Sequence, residues 1–253
     1  MAILNKRNWF SILLPVLMLI LVSACAIPWI NDTNENIVTS KPPETVVNDL
    51  SPFQNIGCIW QSENYAVCPQ ESVPKKMGCD SLTKPPEYLE LLAPDSQFVI
   101  CSFFPHMQAE ADDTDAKGLY DSGCKAQSKE RLLVYQNGDY LLIRDLEDLQ
   151  YNFAPVNSCE KALGYAMAAT GFTGRFDLES LKDYRILAEK LEETSVISTT
   201  DGYEMVLYSK QLCGCGPHTT SMLKVKVTSS GEIVVLKSIP AFENPEEDTL
   251  CVD

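Results

Sequence analysis

Histidine is nearly missing from this chain: His106 and His218 are the only two in 253 residues. A histidine-based nucleophilic triad would need one of them brought beside a serine or cysteine from elsewhere in the fold. No Gly-x-Ser-x-Gly elbow is present, which removes the usual strand-to-helix setting of a hydrolase serine. No glycine-rich loop of the phosphate-cradling kind occurs either. Positive charge is also short, with 20 Lys and Arg against 35 Asp and Glu. A chain so acidic is repelled by phosphate backbones, which excludes nucleic acid as a partner. It is repelled as well by anionic lipid headgroups, so a basic patch is not what holds it to a membrane.

The first segment lacks charge in a more local way. Lys6 and Arg7 are basic, and from Trp9 to Ile30, 22 residues, no charged side chain occurs. A basic start, an apolar core over residues 12–22 and small residues after it form an export signal. The core ends in Val22-Ser23-Ala24-Cys25. This resembles the lipobox of bacterial lipoproteins, in which an aliphatic residue and two small ones precede an invariant cysteine. The resemblance implies cleavage before Cys25, a signal peptide over residues 1–24, and a diacylglyceryl group on the Cys25 thiol. Two or more acyl chains anchor stably where one gives marginal binding. Residues 9–30 are also long enough to span a bilayer, so an uncleaved transmembrane anchor is the alternative, weakened by Pro15 and Pro28. Either reading puts the rest of the chain in the cell envelope, outside the cytoplasm. Cleavage would remove two basic residues and no acid, leaving 18 basic against 35 acidic residues, a net charge of −17.

Cysteine is abundant. Beyond Cys25 there are nine: Cys58, Cys68, Cys79, Cys101, Cys124, Cys159, Cys213, Cys215 and Cys251. In an exported protein this density reads as disulfides, although connectivity does not follow from sequence. An odd count of nine leaves one thiol over.

Composition divides the chain further. Residues 25–50, the lipidated cysteine and the polar, proline-containing stretch after it, read as a tether; as a flexible coil it reaches roughly 25–30 Å. Residues 51–128 form a cysteine-rich segment with short strands at Ile56–Trp60 and Tyr65–Cys68, a short helix over Glu87–Leu92 and a strand over Gln97–Phe104. Residues 129–253 read as an α+β domain. It starts with a hairpin, Arg131–Tyr135 and Tyr140–Ile143, joined by the favoured Asn137-Gly138 turn. A helix starts at a cap on Asn157, carries an apolar stripe of Ala162, Leu163, Ala166, Met167 and Ala169, and stops at Gly171. Leu178–Leu191 is a second, weaker helical pattern. A meander follows: Ser195–Thr199, Asp201-Gly202, Tyr203–Tyr208, then Met222–Val227 with Leu223, Val225 and Val227 inward and Lys224 and Lys226 outward, then Ile233–Leu236. The expected fold class is α+β: a disulfide-rich N-terminal segment, then a helix packed on an antiparallel β-meander in two layers. Over about residues 157–239 this order, with Tyr203-Glu204-Met205-Val206-Leu207 and Val227-Thr228-Ser229-Ser230-Gly231-Glu232-Ile233, resembles the PepSY-like and cystatin-like half-domains of secreted bacterial proteins. That resemblance implies a binding or inhibitory module, with an extracellular protein as partner.

Three local patterns carry candidate chemistry. Cys213-Gly214-Cys215-Gly216-Pro217-His218 places Cys213, Cys215 and His218, three metal-ligating side chains, in six residues. It reads as structural disulfides to distant partners such as Cys159 and Cys251, as a zinc or copper site, or as a Cys213–Cys215 redox bridge. Asp113, Asp115 and Gly118 fit the first, third and sixth positions of a calcium loop, but Lys117 and Cys124 fall where oxygen ligands belong, so a solvated acidic loop is the better reading. Trp60, Tyr65, Phe103 and Phe104 are either groove-lining or core. No cofactor is implied. The function expected is that of a membrane-anchored, non-catalytic binding or structural module, with an inhibitor of an extracellular hydrolase or a metal or redox protein as alternatives.

Overall fold

The computed structural model describes residue 43 and residues 48–105 and 116–252; Cys25, the tether before residue 48 and His106 lie outside that range, apart from residue 43. The elements run α1 (Ser51–Gln54), β1 (Ile59–Ser62), β2 (Tyr65–Val67), α2 (Val73–Met77), β3 (Ser81–Thr83), a 3-10 turn (Leu89–Leu92), β4 (Gln97–Phe103), β5 (Tyr120–Ser122), β6 (Ser128–Gln136), β7 (Asp139–Ile143), α3 (Leu146–Phe153) and α4 (Cys159–Thr170). After a 3-10 turn (Glu179–Leu181) come β8 (Arg185–Ile186), β9 (Val196–Thr199), β10 (Gly202–Lys210), β11 (Gly214–Cys215), β12 (Thr219–Thr228), β13 (Ile233–Glu243), a 3-10 turn (Pro245–Glu247) and β14 (Cys251–Val252).

The fold is α+β with antiparallel sheets. The first sheet has the order β1-β2-β3-β4-β6-β5, with β7 also paired to β6. The second has the order β8-β13-β12-β10-β9, and β11 pairs with β14 alone. The hairpin at Asn137-Gly138 forms as expected: both residues have positive φ, 55° and 91°, which the tight two-residue turn requires. Its strands belong to the first sheet, because β6 is hydrogen-bonded to β4 along Gln97↔Tyr135 to Phe103↔Lys129 and to β5. The boundary expected between residues 128 and 129 therefore falls at the first residues of a strand paired to the cysteine-rich segment on both sides.

The arrangement of layers differs from the expected two. Helix α4 lies between the sheets. Phe98, Ile100, Leu132 and Val134 of the first sheet share one core with Met205, Leu207, Leu223, Val225 and Val227 of the second, and α4 supplies Ala162 through Ala169 to both. Nine of its twelve residues are buried, Tyr165 and Ala168 among them. A helix buried all round is apolar all round, so the stripe read from sequence is only one of its two packing faces. The first sheet is apolar on both faces as well: Val99, Cys101 and Leu133 point away from α4 into a second core with Phe53, Ala66 and Leu82.

Gly164 explains how closely α4 approaches. A Cβ there would sit 2.3 Å from Leu92 N and 2.9 Å from Leu91 C, both backbone atoms of the 3-10 turn. Mid-helix glycine costs about 1 kcal/mol relative to alanine, and here that cost is offset by contact with Leu89, Leu91 and Leu92, all buried in the shared core.

Three local expectations are corrected. The cap of α4 is Ser158, whose Oγ accepts from Lys161 N at 3.1 Å, one residue after Asn157; its stop is Gly171, at φ 69°. Glu87–Leu92 is not a full helix but one 3-10 turn, entered through Tyr88 at φ 72°. Leu178–Leu191 is not a helix either: it holds one 3-10 turn and the short strand β8. Its apolar residues Leu178, Leu181, Tyr184 and Leu191 reach separately onto Tyr208, Met222 and Phe242 on the outer face of the second sheet, so the segment serves as a cover over strands and needs no helical stripe. Among the described residues no helix is long and apolar enough to cross a membrane.

Candidate functional site

Oxidation decides the first candidate. Four disulfides join Cys58–Cys68, Cys79–Cys101, Cys124–Cys213 and Cys215–Cys251. Cys159 is disulfide-bonded too, and no cysteine is free among the described residues; the thiol expected to be left over is not found there. Of the readings of Cys213 and Cys215, bonding to distant partners is the one observed. Cys251 is one of those partners, bonded to Cys215, while Cys213 bonds Cys124 rather than Cys159. Both sulfurs are occupied by carbon-bound sulfur, so the loop offers no thiolate to a metal, and the two do not bridge each other.

His218, the third member of that motif, is 2% exposed. Its Nε2 lies 3.2 Å from Gly214 O and its Nδ1 lies 3.8 Å from Glu247 Oε2. The other oxygen of Glu247 accepts from Lys210 Nζ at 2.5 Å. Beside it Arg185 pairs with Glu243 at 2.7 Å and Asp248 at 2.8 Å. Hydrogen bonds to Asp248 and Glu243 push the guanidinium pKa upward. This corner clamps the tip of the β10–β12 connection to the C-terminal tail, which is a bracing role.

The acidic loop is only partly described, since Asp112, Asp113 and Asp115 lie outside. Of the rest, Lys117 pairs with Asp145 at 2.7 Å, Asp121 pairs with Lys129 at 2.7 Å, and Cys124 is bridged. Phe103 is core, 2% exposed beneath the Arg131 guanidinium at 4.3 Å.

A second candidate has no motif in the sequence. The outer face of the second sheet carries a groove of about 420 Å³, floored by Val206, Met222 and Ile239 and walled on one side by Glu189, Lys190 and Glu192. Met222 and Ile239 are cross-strand partners, and so are Lys224 and Lys237 in the next row. Like charges directly opposite are unfavourable. Glu204 relieves one of them, 2.7 Å from Lys224 Nζ; Lys237 has no carboxylate within ion-pair distance among the described residues.

The groove runs to the edge of β13. On that edge β8 pairs only with Phe242 and Glu243, and the amides of Leu187 and Ala188 reach Ala241 O. No described strand covers residues 233–240. Val234, Val235 and Leu236 are 51%, 45% and 47% exposed there. In sequence an apolar β-branched run of this kind looks the same in a buried strand as in an open one; only the strand order shows that it lies at an edge. Lys237 and Pro240 stand at the far end, and register shifts interrupt the pairing with β12 after Thr220 and Lys224, devices that limit indiscriminate edge association.

Comparison with known proteins returns no match among protein families, curated proteins or solved structures.

Proposed function

We propose that this chain is an exported lipoprotein, anchored through Cys25, that binds extended apolar segments along the open edge of β13. The carrying observation is the uncovered stretch 233–240 with three half-exposed apolar side chains. A strand added there would satisfy main-chain groups, and side-chain pockets would supply selectivity. Covering each of the three side chains contributes about 1 kcal/mol. The four disulfides support an oxidising, extracytoplasmic setting.

The test is selection of peptides from a display library on the purified protein. Winners are expected to be β-branched or aromatic segments whose binding is lost in Val235→Pro and Leu236→Glu and which slow amide exchange in β13. Binders indifferent to both substitutions would sink the edge reading. Cys25 and Cys159 are the two cysteines that the four bridges leave over, so the Cys25 thiol serves either a lipid or a bridge to Cys159. Mass spectrometry of the N-terminal peptide from native membrane decides: a diacylglyceryl thioether on Cys25 supports the anchor, while Cys25 found as a thiol or bridged to Cys159 overturns it.

One observation favours the inhibitor reading. Leu212 is 41% exposed beside Cys213, on a loop held by two bridges, a pre-ordered apolar projection that binds with little entropy loss. Inhibition of an extracellular peptidase that disappears in Leu212→Asp would establish it.

A further inference from the structure

The geometry points to Cys213-Gly214-Cys215 as a thiol–disulfide exchange site, at which a dithiol reductant opens one bridge and the chain itself opens the second. Two disulfides end on cysteines separated by a single glycine, one running to Cys124 and the other to Cys251. They differ from the remaining pairs in access. Cys213, Cys215 and Cys251 are exposed and Cys124 is half-buried, whereas Cys58, Cys68, Cys79 and Cys101 are 7%, 5%, 0% and 0% exposed. Attack on a disulfide requires in-line approach of a thiolate to sulfur, so access selects which bridges react.

The glycine between them matters. Gly214 sits at φ 81° with no heavy atom within 4 Å of an added Cβ, so open space surrounds the one residue that must rotate to bring the two sulfurs together. The β11–β14 pairing that would resist this consists of two residue pairs, Gly214↔Val252 and Cys215↔Cys251.

The chemistry closes in two steps. A thiolate of the dithiol attacks Cys251 Sγ, displacing Cys215 as thiolate; the second thiol of the reductant resolves the mixed disulfide and releases Cys251. The reductant leaves as its own disulfide, having supplied two electrons. Cys215 thiolate then attacks Cys213 Sγ and displaces Cys124 as thiolate, which takes up a proton from solvent. This second step moves no net electrons. The product carries a Cys213–Cys215 bridge with Cys124 and Cys251 as thiols. Both ties that the loop made to other segments are then gone: to the β5–β6 connection through Cys124, and to the C-terminal tail through Cys251.

The experiment is limited reduction of the folded, full chain with a stoichiometric dithiol, acid quenching, alkylation and non-reducing peptide mapping. Expected are alkylated Cys124 and Cys251, a Cys213–Cys215 cross-linked peptide, and intact Cys58–Cys68 and Cys79–Cys101. In the double variant Cys215→Ser with Cys251→Ser the attacking thiol is absent, and labelling of Cys124 is expected to slow by about tenfold or more. Alkylated Cys215 and Cys251 with Cys124–Cys213 intact would overturn the exchange. So would equal labelling of Cys124 in the double variant, or reduction of all four bridges together.

Discussion

Gly164→Ala pits two principles against each other. Helix propensity alone predicts about 1 kcal/mol of stabilisation, because alanine is the better helix former by that amount. The contact geometry predicts the reverse. The added methyl would lie 2.3 Å from Leu92 N, 2.9 Å from Leu91 C and 2.9 Å from Leu92 Cα. Ordinary carbon contacts are about 3.5 Å, so the helix and the turn must part by roughly 1 Å. All three atoms are backbone, and no side chain can swing aside to absorb the overlap. Parting α4 from the turn also loosens Leu89, Leu91 and Leu92 in the shared core. Overpacking of this kind costs about 1–3 kcal/mol and sometimes more. With the larger end expected for a backbone clash, the net loss is about 2 kcal/mol. For a domain of this size that lowers Tm by about 4–8 °C. The assay is guanidinium unfolding of both proteins under non-reducing conditions, followed by tryptophan fluorescence and far-UV circular dichroism. A Gly164→Ala variant as stable as the wild type, or more so, would refute the close-approach argument.

Further outcomes follow from other features. Asp145 caps α3 by accepting from Asp148 N at 2.9 Å and accepts from Lys117 Nζ at 2.7 Å; Asp145→Ala is expected to cost about 1–2 kcal/mol in urea unfolding. Burial pulls the Asp145 carboxyl upward, but hydrogen bonds from Lys117 and the Asp148 amide outweigh it and hold the group below its ordinary value. Its contribution is therefore full above the unfolded value of about 4 and is lost as pH falls through the lower folded one, so the variant should show a smaller loss of stability than wild type on acidification from about pH 5. Tyr165 is buried with its hydroxyl unpartnered among the described residues, and burial pushes its pKa up to about 12; Tyr165→Phe is expected to unfold within about 0.5 kcal/mol of wild type or later. In the chain-entropy account, removing Cys124–Cys213, with a separation of 89 residues, should cost about 4.5 kcal/mol, against about 3 kcal/mol for Cys58–Cys68 with a separation of 10. Equal losses from the two Cys→Ser pairs, measured calorimetrically, would argue against loop closure as the source.

What was legible in the sequence was local or periodic. Asn137-Gly138 specified its hairpin because few residues tolerate two positive φ angles in a row. The alternation of Leu223, Val225 and Val227 with Lys224 and Lys226 specified the inward face of β12, and Lys224 and Lys226 do form outward ion pairs with Glu204 and Asp201. The position of α4 was not legible. Alanine, glycine and one tyrosine on its far side give little periodic contrast, and only the second sheet shows why they are small. Leu178–Leu191 misled because apolar spacing there serves contacts with strands distant in sequence. The groove has no sequence signature for a similar reason: Val206, Met222 and Ile239 come from three strands that no local pattern links. Cys213, Cys215 and His218 stood out correctly as a cluster, but which sulfur bonds which depends on how Cys124 and Cys251 return to that corner.

The sandwiching of α4 has a consequence for how the chain is made. Strands β4, β6 and β7 are complete by Ile143, and α4 follows by Thr170, so one face of the helix can dock while synthesis continues. Its other face waits for Leu207, Leu223 and Val227. Until those arrive, Ala162 through Ala169 and the inward side of the first sheet form a sticky intermediate with no cover. A nascent molecule stalled between Thr170 and Val227 would be the most aggregation-prone species on the route, and the point at which an escorting chaperone would matter most.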